Sequence, residues 1–102
     1  MKNVRITVLK RTFNEDIANR FAVDRFGLCE LHKEGEEFIS NGWEKPQGLC
    51  ESAWQSLCHY VFALSHDGGN FLKDWMKDPV SAVISCNDGC RPVIFLLERI
   101  ED

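Results

Sequence analysis

The sequence lacks any C-x-x-C pair, any continuous positive stripe and any apolar run long enough to cross a bilayer. Each absence removes a class of function. Paired C-x-x-C elements build the tight thiolate knuckles of common zinc sites, so a metal here would have to gather its ligands from separate stretches. The longest apolar run, Val93-Ile94-Phe95-Leu96-Leu97, falls far short of the roughly 20 residues of a membrane span, and membrane insertion is set aside. Basic residues are scattered, Lys10-Arg11 being the densest pair, and the formal charge is -4. A phosphate backbone would meet no continuous positive stripe, so nucleic acid is not an expected partner. Gly68-Gly69 has no following lysine of the phosphate-cradle type, which argues against a nucleotide site. Nor does an apolar segment with a small-residue cleavage site follow Met1. The expectation is a cytosolic protein whose thiols stay reduced.

What is present is sulfur. Five cysteines, Cys29, Cys50, Cys58, Cys86 and Cys90, stand in 102 residues. An odd number cannot pair completely within one chain. A free cysteine in a reducing compartment is a small core hydrophobe, a metal ligand or a nucleophile. The length and the 44% hydrophobic content fit one domain over residues 1–102, with room for a single core.

Val4, Ile6 and Val8 alternate with Arg5, Thr7 and Leu9, the period of a half-buried strand. Thr12 or Asn14 offers an N-cap, and Ile17, Ala18, Phe21 and Ala22 at helical spacing predict a short helix to about Val23. No period holds from Asp24 to Lys33, and a charged loop then leads to a brief strand at Phe38 to Ser40. Cys50, Ala53, Trp54, Leu57, Cys58, Val61 and Leu64 trace one stripe of the principal helix, expected over about 50–66 with a glycine of the Asp67-Gly68-Gly69 turn in the left-handed C′ position. Phe71, Trp75 and Met76 are expected to cover one end of the core. Ser81 to Cys86 and Pro92 to Ile100 read as an antiparallel hairpin with Asn87-Asp88-Gly89 as its loop and Gly89 at positive φ. The last strand is apolar on both faces, so it is expected to be central, or covered by a second layer or a second subunit in a homodimer. The sum is an α+β fold: about four mostly antiparallel strands, one principal helix on one face and a short N-terminal helix.

The opening Val4-Arg5-Ile6-Thr7-Val8-Leu9-Lys10-Arg11, the central Cys29 with Glu34-Gly35-Glu36-Glu37-Phe38, the Pro46-Gln47-Gly48-Leu49-Cys50-Glu51-Ser52-Ala53-Trp54 stretch and the closing Cys86-Asn87-Asp88-Gly89-Cys90-Arg91-Pro92-Val93-Ile94-Phe95 carry a VxITVLKR start and a CxDGxRPVxF end. Over its whole length the chain resembles a family of small bacterial and archaeal proteins with no assigned activity. The resemblance implies that Cys29, Cys50, Cys86, Gly69, Trp75 and Arg91-Pro92 belong to a shared pattern, while Cys58 and Cys90 are peculiar to this chain.

Three readings of function follow. The first is a small cytosolic binding or accessory protein for a small-molecule or protein partner, with a cleft near Cys50 and with Trp54, Trp75 and Arg91 as ligand-binding candidates; Arg91 can pair with an anionic ligand or with Asp88 or Glu51. Trp43, Trp54, Trp75 and Phe71 either line a small apolar pocket there or fill the core. The second is a thiol-dependent enzyme or redox protein using Cys50, since the amide dipoles of a helix start favour a thiolate. The third is a structural Zn²⁺ or iron–sulfur module through Cys29, His32, Cys50 and Cys86. Against the last two stands the bland alternative that these cysteines are buried packing residues. A disulfide between Cys86 and Cys90 across the hairpin is conceivable, with two free thiols the default.

Overall fold

A computed structural model describes residues 1–68 and 74–101. The element order is β1 (Val4–Arg11), α1 (Glu15–Phe21), β2 (Glu37–Ser40), α2 (Glu51–Ser65), β3 (Ser81–Ser85) and β4 (Val93–Arg99). The four strands form one antiparallel sheet in the order β2-β1-β4-β3. β4 therefore lies inside the sheet between β1 and β3, one of the placements that its two apolar faces predict.

Directly paired residues share a face, so register sorts the side chains. Val8 pairs with Phe95, Ile6 with Leu97, and Leu97 with Ala82. All of these are buried on the face that α2 covers. Ala53, Leu57, Val61 and Leu64 of α2 close the core from above. A bulge between Val8 and Lys10 shifts the β1–β4 register, and Leu9 turns outward there.

The ends of α2 explain its length. Pro46, Gln47 and Gly48 turn the chain, Leu49 is buried, and Cys50 is the N-cap. At the other end the Gly68 N–H donates to Ala63 O at 2.7 Å and the Asp67 N–H to Leu64 O at 3.2 Å, the two bonds of a Schellman motif. The left-handed residue is Asp67, with φ +62°, and not a glycine as the sequence predicts. Glycine is instead needed one place later, because a Cβ on Gly68 would sit 2.6 Å from Ala63 O.

Other expectations are corrected. α1 is shorter than predicted; only Ala18 of it is buried and Phe21 is 73% exposed, because α1 is tied to the β3–β4 turn and packs little against the sheet. Asn14 caps α1 with no side-chain bond; its Nδ2 donates to Gly89 O at 2.7 Å, pinning α1 to the β3–β4 turn. Trp75 is 70% exposed and covers no core. Phe71 and Gly69 lie outside the described residues. The hairpin connection spans residues 86–92, longer than three residues, and Gly89 has no positive φ. Asp88 shapes this turn: its Oδ1 accepts from the N–H groups of Cys90 and Arg91 at 2.9 and 3.1 Å.

Candidate functional site

The site forms where the start of α2 meets the turn ends of β3 and β4. Cys50 supplies no side-chain cap. Its own N–H donates to Nε2 of His32 at 3.1 Å, so an imidazole from a distant loop anchors the chain as it enters the helix. His32 is only 2% exposed. Phe38 and Phe95 meet its ring edge-on at centroid distances of 5.5 and 5.9 Å. Because Nε2 accepts, the bonding pattern assigns the ring proton to Nδ1, which donates to Glu36 Oε1 at 3.1 Å.

The loop bearing Cys29 and His32 is held to β1 by its own bonds. The Gly35 N–H donates to Val8 O and the Val8 N–H to Glu36 O, at 2.8 and 2.9 Å. Arg11 donates to Glu34 through Nε at 3.0 Å and to Cys29 O through Nη1 at 3.2 Å. The Lys33 N–H reaches Glu36 Oε1 at 3.1 Å. That backbone bond holds the Glu36 carboxyl below the usual carboxylate range; burial works against it and His32 adds to it.

These anchors leave a pocket of about 160 Å³. Three sulfurs line it, Cys29 from the loop, Cys50 from the start of α2 and Cys86 from the end of β3, over a floor of His32 and Phe95. Ser52, Asp88 and Arg91 provide its polar side, and its lining is mainly apolar. The Arg91 guanidinium is fixed twice, by Nε donating to Asp88 Oδ2 at 3.3 Å and by the Phe26 ring 4.2 Å from its Cζ. Burial pushes the Asp88 carboxyl up, but the N–H groups of Cys90 and Arg91 and the Arg91 guanidinium more than offset it, so the group titrates below its ordinary range.

The predicted residues thus divide. Cys29, His32, Cys50, Cys86 and Arg91 converge on one pocket. Trp54 packs against the core and Trp75 faces outward, and neither lines it. Trp43 stacks edge-on with Phe62 at 4.9 Å, away from the pocket. All five cysteines are free thiols. Sequence reasoning missed Glu36, Phe26 and the pocket floor of Phe95. The charged run 34–37 reads as a solvated loop, and only the His32-x-x-x-Glu36 spacing hints at the pairing.

The residues do not fit a metal centre as they stand. Among the described residues no three His, Cys, Asp or Glu side chains are placed to share an ion. Both nitrogens of His32 are engaged, so ligation would release either the Cys50 amide or Glu36. No helix among the described residues is long and apolar enough to cross a membrane. Comparison with family models, with curated proteins and with solved structures gives no match.

Proposed function

We propose that the protein is a small cytosolic binding or accessory module whose ligand is a small molecule with an apolar body and an acidic group, seated in the pocket at the start of α2. The observation that carries this reading is the pocket's construction. Residues far apart in sequence meet around about 160 Å³ of mainly apolar space with one arginine at its edge. An apolar cavity of roughly 150 Å³ takes a benzene-sized guest, which bounds the ligand's body. Arg91 is already immobilised by Asp88 and Phe26, so engaging a carboxylate with its remaining donors costs little side-chain entropy. The family resemblance is compatible with this reading and adds no chemistry to it.

Titration of isotope-labelled protein with benzoate and with benzyl alcohol tests the proposal. Benzoate is expected to bind with Kd of about 1 mM, more tightly than the alcohol, and to shift the amides of Ala53 and Phe95. Arg91→Gln should erase the difference between the two. Shifts confined to other regions, or none, would refute the reading.

A homodimer is a second reading, favoured by one observation. The sheet face opposite α2 bears no helix among the described residues, and it presents Ile39, 50% exposed, and Val83, 43% exposed, alongside Ile94 and Leu96. A second copy is the occupant proposed for it.

A further inference from the structure

We infer that Cys86, and not Cys50, is the reactive sulfur of the pocket, a site of thiol–disulfide exchange with low-molecular-weight disulfides. Cys86 follows β3 and sits opposite Val93. Its N–H donates to Val93 O at 2.9 Å, and the Val93 N–H donates to Cys86 Sγ at 3.2 Å. The second bond makes the sulfur an acceptor with a fixed orientation, and a donor aimed at sulfur supports the negative charge that a nucleophilic thiolate carries. Arg91 lines the same pocket, its charge partnered by Asp88 and its remaining guanidinium donors left to engage a disulfide's polar substituent. Asp88 lines it too, but its carboxylate is occupied by the Cys90 and Arg91 amides and by Arg91 Nε.

The other thiols lack this arrangement. Cys50 borders the pocket but supplies no side-chain cap bond at the helix start, Cys29 lines it with no hydrogen bond to its sulfur among the described residues, and Cys58 and Cys90 do not line it. In the exchange, the Cys86 thiolate attacks one sulfur of a disulfide R–S–S–R. A new sulfur–sulfur bond forms to Cys86, the old one breaks, and R–S⁻ leaves with the electron pair and takes a proton from water. The protein sulfur is oxidised and the departing sulfur reduced, so the step balances with the disulfide as the only co-reactant. The pocket's size admits R groups of a few heavy atoms. The exchange depends on the pocket's geometry and needs no non-covalent ligand.

Reduced native protein treated with limiting 2-hydroxyethyl disulfide, quenched with acid and mapped by peptide mass spectrometry, tests it. The first mixed disulfide is expected on Cys86, formed about tenfold faster than on the same cysteine in guanidinium chloride. Cys86→Ser should remove the fast phase while the helical circular dichroism persists; the site map of the unaltered chain decides the matter even if that variant fails to fold. A first adduct on Cys29, Cys50, Cys58 or Cys90, or a native rate equal to the unfolded one, overturns the inference. The benzoate titration reads non-covalent occupancy, so either result can fail without the other.

Discussion

At the scale of single residues, His32 holds the site together. Its ring is buried, satisfies the Cys50 amide and presents its other nitrogen to Glu36. Truncation leaves both a cavity and an unpaired amide. His32→Ala is expected to cost about 2–4 kcal/mol, read as a lower urea midpoint at unchanged slope. His32→Gln should recover part of that, because an amide oxygen can still accept from Cys50. Asp88 makes a pH prediction. Its folded pKa is depressed, so its stabilising contribution is complete above the unfolded carboxylate value of about 3.9 and is lost as the pH falls through the lower folded value. The side chain is 36% exposed, so solvent screening discounts the effect. Thermal melts between about pH 5 and pH 2 should show part of the acid destabilisation missing in Asp88→Ala.

At the scale of elements, α2 is the part most legible in the sequence and the hairpin turn the least. The stripe Ala53, Leu57, Val61, Leu64 follows from helical spacing alone, and all four are buried. Leu57 is fully buried at its centre, so Leu57→Ala is expected to cost about 2–5 kcal/mol in chemical denaturation. Composition predicts a tight loop between β3 and β4, since Asn-Asp-Gly suits one, whereas the connection spans residues 86–92. Asp88 instead reaches forward to the Cys90 and Arg91 amides, and Asn14 of α1 ties down Gly89 O, a contact from outside the Asn-Asp-Gly pattern. Gly42 gives a test of the segment following β2. It has φ +100°, and a Cβ there would run into Ser65 Oγ and lie 2.6 Å from Ser65 Cβ. Gly42→Ala should lower stability by about 2 kcal/mol or more, measured by thermal melting.

At the scale of the whole molecule, the four-stranded sheet has one covering helix among the described residues, and none of them lays a helix on its second face. Arg5 pairs with Glu98 on that face at 3.3 Å, beside the aliphatic Ile39 and Leu96. If a second copy covers it, light scattering at high concentration should give twice the 11.7 kDa chain mass, and Val83→Lys should return it to a monomer without altering the melt of the inner core. A monomer throughout would remove the dimer.

The sequence by itself determined the α+β class, the two apolar faces of the last strand, the helix near 50–66 and the thiol inventory, because hydrophobic period and chain breaks are local properties. Only the tertiary structure decided which of those sulfurs share a pocket, that Arg91 chooses Asp88 over Glu51, and that His32 serves the helix start. Those relations join Cys29, Cys50 and Cys86 across tens of residues. They depend on sheet register and loop closure, which no spacing rule within one segment encodes.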